Sequence, residues 1–282
     1  MENQRQNPLA GHFRQPAIYL TLPSGGKWWG ENALNMPANR ELPIYPMSTK
    51  DEITLRTPDA LLNGQGLIDV IQSCCPNIKN AWEMPSVDVD SVLIAIRIAT
   101  YGNSMSFDSK CPHCGEDNTH DVDLGKPLSS LQCPDYSKLM HYKDLKIKFK
   151  PQHYFSVNKS SMMEFEEQKI ISLLGAADMD PDEKAKELTA SMGRLFDFGI
   201  TSCTQSTEYI ELDDGTRVTD PEFINEFYRN AESAVITQLQ KQIADFSNQA
   251  KPEGLNLGCQ ACIKEYKVDL TFDYSNFFAK GF

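Results

Sequence analysis

The spacing of apolar residues divides the chain into helical and extended stretches. Val89, Leu93, Ile96, Ile98 and Ala99 recur at three- and four-residue intervals, the period of one helical face. Asp88 and Asp90 lie near the start of this helix, where carboxylates complement the helix dipole. It stops at "YGNS", residues 101–104, on a glycine signal. A broken helical pattern precedes it: Leu61 and Leu62, then Leu67, Ile68, Val70 and Ile71, interrupted by Gly64 and Gly66. In the centre, Met163, Ile170, Ile171 and Leu174 share one face. A second helix opens at Pro181 and carries Leu188, Met192, Leu195 and Phe196, with "GAADMD" as the loop between them. Asp220-Pro221 starts a further helix. Its stripe of Ile224, Phe227, Tyr228, Ala231, Val235, Leu239, Ile243 and Phe246 predicts one continuous rod of about six turns.

Period-two alternation marks the strands. "MSFDSK" and "THDVDL" flank residues 111–118 and predict a hairpin, and "KDLKIKFKP" alternates cleanly. "EYIEL" and "RV" enclose an Asp-Gly turn, a strong hairpin signal. "AIYLTL" is extended, "LPSGGKWW" is a turn that presents Trp28 and Trp29, and 42–57 reads as extended with a turn at Ser48-Thr49.

The chemistry sits in the turns. Cys111 and Cys114 lie two residues apart in "KCPHCGEDNTHDVDL", at the tip of the first hairpin. "LNLGCQACIKEYKVDLTFD" repeats the theme with Cys259 and Cys262, again followed by Val-Asp-Leu. Two such knuckles supply the four thiolates of a tetrahedral structural zinc site. Gly115 suits the tight turn of the first knuckle, and the second lacks that glycine. The pairs are separated by about 144 residues, far more than in a compact zinc finger. The middle helices then form an insertion whose two ends a metal pins together. A redox Cys-x-x-Cys starts a helix after a strand, which neither pair does. His113 and His120 stand close enough in sequence for one to replace a cysteine. Cys74, Cys75, Cys133 and Cys203 read as buried small hydrophobes.

Composition narrows the function. The 282 residues are 40% hydrophobic and 23% charged, with 39 acidic against 27 basic side chains and a net charge of -12. That balance opposes a general nucleic-acid surface, which needs cations to neutralise phosphates. The polar N-terminus does not resemble a signal peptide, and no run approaches the roughly 20 apolar residues of a membrane span. Eight cysteines without an export signal predict a reducing cytoplasm and metal ligation over disulfides. Four thiolates fill a zinc shell, so no catalytic position is left open on it. No phosphate loop, His-Glu-x-x-His or Gly-x-Ser-x-Gly occurs, and no catalytic residue is assigned.

The fold expected is α+β: a split zinc-ribbon-like β-hairpin module with a helical insertion and an N-terminal mixed α/β region. Four segments follow. Residues 1–57 are extended, 58–142 hold helices and the first knuckle, 143–250 are mainly helical, and 251–282 hold the second knuckle and an aromatic tail. That tail, with Tyr274, Phe277, Phe278 and Phe282, either folds back on the core or anchors in a partner. The partner role is our expectation for Phe277 and Phe278, so that deleting 275–282 would weaken assembly and leave the monomer folded. Trp28 and Trp29 are candidate partner contacts too, although closing one end of the core is their plainer role.

The order of "LPSGGKWW", "YPMSTKDEITL", "PDALLNGQGLIDVIQSC" and "VLIAIRIATYGNSMSFDSKCPHCGEDNTHDVDL" resembles the baseplate protein family of T-even-type contractile-tailed bacteriophages, whose founding member is a hub component. The resemblance is closest over residues 16–125. It implies a virion structural or assembly protein without catalytic activity, made in the host cytoplasm and built into the tail baseplate beside other baseplate and tail proteins. A zinc-ribbon nucleic-acid adaptor is the alternative, opposed by the acidic "GEDNTHDVD" around the first knuckle.

Overall fold

A computed structural model describes residues 8–57, 64–176, 180–268 and 277–278. The chain begins with two short strands, β1 (Ile18–Leu20) and β2 (Leu42–Ile44), paired antiparallel with Ile18 opposite Ile44. Next come helices α1 (Thr49–Leu55), α2 (Gln65–Cys74) and α3 (Ser86–Tyr101). The stretch 49–55 is thus helical where the pattern reads as extended. The reason is a capping box: the Ser48 hydroxyl accepts the Asp51 N–H, and the Asp51 carboxylate accepts the Ser48 N–H. The proposed helical positions Leu61 and Leu62 lie outside the described residues.

Helix α3 is the axis of the first core. Its residues from Val87 to Ile98 are nearly all buried, so it is apolar around its whole circumference. Gly102 ends it with φ 84°, a conformation that favours glycine. Leu42, Ile44, Ile68, Ile71 and Met84 pack around it.

The one acid buried in this helix organises the loop before it. Asp88 is fully buried and accepts hydrogen bonds from the Ser24 N–H (2.8 Å), the Ser24 hydroxyl (2.5 Å) and the Trp29 indole N–H (2.9 Å). Burial raises its pKa to about 6, opposed by those three donors. The folded chain therefore holds this proton more tightly than the unfolded chain, whose Asp titrates near 3.8. The associated stability is present below pH ~4 and is lost as pH rises through ~6, a change of about 3 kcal/mol. In urea titrations between pH 4 and 6, the wild type is expected to lose about 3 kcal/mol more stability than Asp88→Asn, which cannot ionise. Equal slopes in both would remove Asp88 as its source.

After α3 come strands β3 (Ser104–Lys110) and β4 (Asp117–Asp123), the foreseen hairpin, and a short helix α4 (Gly125–Ser130). Strands β5 (Leu139–Tyr142) and β6 (Leu145–Phe149) lead into two long helices, α5 (Tyr154–Ala176) and α6 (Pro181–Gln205). Residues 177–179 of the proposed loop between them lie outside the described residues, while Gly175 and Ala176 continue α5. Strands β7 (Thr207–Glu211) and β8 (Arg217–Val218) complete an antiparallel sheet in the order β5-β6-β7-β8. Helices α7 (Pro221–Asn230) and α8 (Ser233–Gln249) cover it. The rod expected over 224–246 is therefore two helices. Ala231 (ψ 161°) and Glu232 (ψ 142°) are extended, and the bend lets both Tyr228 and Val235 reach one core. That second core also takes in Ile147, Phe149, Ile200, Ile210, Leu239 and Phe246.

Helices α5 and α6 pack against each other, and Met163, Ile170, Ile171 and Leu174 form a half-buried face of α5. Buried Glu167 sits in the middle of this face and accepts from the Ser191 hydroxyl (2.5 Å) and from Arg194 Nε (2.5 Å) and Nη2 (3.0 Å). A buried acid with one matching set of donors fixes the register of the two helices.

Trp28 and Trp29 join the two cores. Trp28 meets Tyr136 of the second core edge-on at 5.3 Å, and its carbonyl lies 3.0 Å from His153 Nε2. Trp29 packs on the first core and donates to Asp88. Both are half-buried and engaged within the chain, Trp28 by Tyr136 and Trp29 by the first core. The chain ends with strands β9 (Leu255–Gly258) and β10 (Glu265–Val268) and then returns to the first core.

Phe277 and Phe278 are 2% and 6% exposed within that core. Arg97, inside α3, donates to the Phe277 carbonyl, and its guanidinium lies 5.2 Å from the Phe277 ring and 5.3 Å from the Tyr101 ring. Both rings fill an intramolecular site, the fold-back arrangement that the sequence also allows, and Arg97 holds the Phe277 carbonyl. Tyr274 and Phe282 lie outside the described residues.

Candidate metal centre

Each cysteine pair occupies the tip of a two-stranded hairpin, β3–β4 for Cys111 and Cys114, β9–β10 for Cys259 and Cys262. The two tips share one hydrogen-bond pattern. The Cys111 N–H donates to the Glu116 carbonyl and the Gly115 N–H to the Cys111 carbonyl. In the second knuckle the Cys259 N–H donates to the Lys264 carbonyl and the Ile263 N–H to the Cys259 carbonyl. Gly115 (φ 78°) and Ile263 (φ 63°) hold the same left-handed position. The missing glycine therefore does not change the second turn; it is replaced by a β-branched residue under backbone strain. Ile263 is 86% exposed, so its side chain contributes little packing. Ile263→Gly is expected to stabilise the chain by about 1 kcal/mol in urea denaturation, since glycine relieves the strain. A destabilised variant would mean that the exposed isoleucine makes contacts worth more than the strain.

The tertiary fold brings the two knuckles together. The Sγ atoms of Cys111 and Cys262 are 3.8 Å apart and those of Cys114 and Cys259 are 3.6 Å apart. All four lie within 4.8 Å of one another. Zinc–sulfur bonds of about 2.3 Å in a tetrahedron place sulfurs about 3.8 Å apart, so the quartet fits such an ion. Its electrostatics favour one. The Cys262 N–H, 3.4 Å away, leads the donors that hold the Cys259 thiol down to about 6 against burial. At Cys114 the Glu116 N–H lowers the pKa, yet burial and hydrogen bonding with the sulfurs of Cys259, Cys111 and Cys262 carry it up to about 12. Four thiols this close cannot all ionise without mutual repulsion, and a divalent cation would relieve the crowding of negative charge.

The histidines are cross-braces rather than members of the quartet. His113 Nε2 is 3.3 Å from the Glu265 carbonyl, and His120 Nε2 is 3.3 Å from the Tyr266 hydroxyl, each spanning the two hairpins. Ser109 adds a 2.8 Å bond to the same hydroxyl. Sequence spacing did not reveal Asn118, which is 3% exposed between the knuckles. Its Oδ1 accepts the Gln260 N–H at 2.8 Å, and its amide nitrogen faces Cys259 Sγ at 3.7 Å. Asn118 is polar and stands at the start of β4 between the acidic Asp117 and the polar Thr119, so nothing local distinguishes it from a solvent-facing residue.

The other cysteines are structural. Burial pushes the thiols of Cys74, Cys75 and Cys203 up to about 12, 11 and 11, while Cys133 is half-buried at the edge of the second core. A cavity of about 700 Å³ opens between the two cores beside Val87, Tyr136, Phe149 and Phe246. Among the described residues that line it, Asp90 is the one acidic side chain, and neither histidine nor cysteine is present. Among the described residues no helix is long and apolar enough to cross a membrane.

A family model described as "T4 bacteriophage base plate protein" matches residues 16–279. No curated protein and no solved structure matches the chain.

Proposed function

Because the chain belongs to the T4 bacteriophage base plate protein family, we propose that it is a non-enzymatic, hub-associated structural component of the tail baseplate, stabilised by one zinc ion on Cys111, Cys114, Cys259 and Cys262. The observation that carries the zinc part is the convergence of four sulfurs from two hairpins 145 residues apart in sequence. The ion closes the insertion of residues 125–254 into a loop and makes the ribbon a rigid base for it. In this reading the ion is structural: four protein sulfurs complete its shell.

Contacts with other baseplate and tail proteins find support in the exposed apolar side chains of the α5–α6 hairpin. Phe165, Leu173, Met192 and Phe196 are each more than half exposed, more than solubility alone favours on one projecting element. The adaptor alternative gains no support from the site. Glu116, Asp117, Asp121 and Asp123 surround the first knuckle and would repel a phosphate backbone.

Purified chain is expected to contain one zinc per molecule by elemental analysis and to co-purify with other baseplate proteins when expressed with them. Tight DNA binding that falls steeply with salt would favour the adaptor instead. Wild-type assembly by a chain that holds no metal would end the zinc-scaffold reading.

A further inference from the structure

The metal centre has a third kind of support besides its cysteines and turns. Resting on the zinc reading above, we propose that Asn118 is a positioning residue that joins the two knuckles and tunes the Cys259 sulfur. Its side-chain amide is almost fully used. The nitrogen donates to the Glu116 carbonyl of its own knuckle at 3.0 Å and to Cys259 Sγ of the other at 3.7 Å. The oxygen accepts the Gln260 N–H at 2.8 Å. Gln260 returns the contact through its own side chain, which donates to the Thr119 carbonyl at 3.3 Å. One buried amide thus ties its own knuckle to Gln260, 142 residues further along the sequence, and fixes the second turn relative to the first.

The sulfur contact gives the amide a role beyond packing. Four thiolates around a divalent ion carry a net charge of about −2. N–H groups aimed at the sulfurs disperse that charge, and outer partners of this kind typically change metal affinity about 10- to 100-fold. At Cys259 the backbone N–H of Cys262 is one such donor, and Asn118 is a second from the opposite hairpin. Asparagine suits the position because it offers donors to the Glu116 carbonyl and the sulfur and an acceptor to the Gln260 N–H. Aspartate has the same shape but would put negative charge against both the carbonyl and the thiolate.

Two measurements test this. In wild-type chain loaded with cadmium-113, the Asn118 side-chain protons are expected to show scalar coupling to the metal through Cys259 Sγ. Asn118→Asp is expected to weaken zinc binding about 10- to 100-fold in a chelator competition. In the cobalt-substituted chain it should move the sulfur-to-metal charge-transfer band to longer wavelength, which a packing role alone would not do. A wild-type chain that binds no metal overturns both the metal centre and this role. A metal-loaded wild type without the Asn118 coupling overturns the Asn118 role alone, as does an Asn118→Asp variant with unchanged affinity and spectrum. The coupling experiment needs no variant, so a substitution that fails to fold leaves the proposal testable.

Discussion

Replacing Cys259 and Cys262 together with serine is expected to abolish zinc binding and to cost the chain about 5 kcal/mol of stability. The estimate follows from treating the ion as a cross-link. It joins residues 145 positions apart, and closing a loop of that size removes about 5 kcal/mol of conformational freedom from the unfolded chain. Structural zinc in small peptides binds with apparent free energies of about 10 kcal/mol or more, so the ion can supply this. Asn118, His113, His120 and Tyr266 would still join the hairpins, which limits the loss. Calorimetry of the wild type with and without a strong chelator should reproduce the shift seen in the double variant. An unchanged transition in both would mean that the knuckles meet without help from a metal.

A chain ending at residue 276 should lose about as much, on the order of 6 kcal/mol. Truncating a buried phenylalanine costs about 3–5 kcal/mol, with the lower value suited to a terminal segment that can partly relax. Two are lost here, Phe277 and Phe278. Arg97 would also lose the Phe277 carbonyl and ring, leaving a guanidinium in the first core with less to offset its burial. Phe277→Ala and Phe278→Ala should each shift the urea midpoint, and the truncated chain should shift it most. Wild-type stability after truncation would return these rings to the partner-anchoring role that their terminal position suggests.

That pair shows where local reading stops. Four aromatics near a chain end have the same composition whether they seat in the chain's own core or in a neighbour's. The seat in the chain's own core includes Arg97, 180 residues earlier in sequence, which no local pattern links to the tail. The helix over 49–55 is a different case. Its Ser48 and Asp51 cap was present in the sequence, but strand-like alternation on either side outweighed one local turn of polar residues. The break after Asn230 left no mark at all, because Ala231 and Glu232 are ordinary helix formers and only the demand of the second core bends them.

The sequence by itself determined the local chemistry. Two Cys-x-x-Cys turns between alternating strands specify two knuckles, and glycine, proline and the three-and-four spacing specify most of the helices around them. These features act over a few residues, so their physics is complete within a short window. The tertiary structure alone decided which distant groups meet. It set the spacing of the four sulfurs that the repeated knuckles point to, placed Asn118 between them and folded Phe277 and Phe278 onto α3. Those outcomes depend on the packing of two cores and the path of the insertion between the hairpins, and no short stretch of residues carries that information.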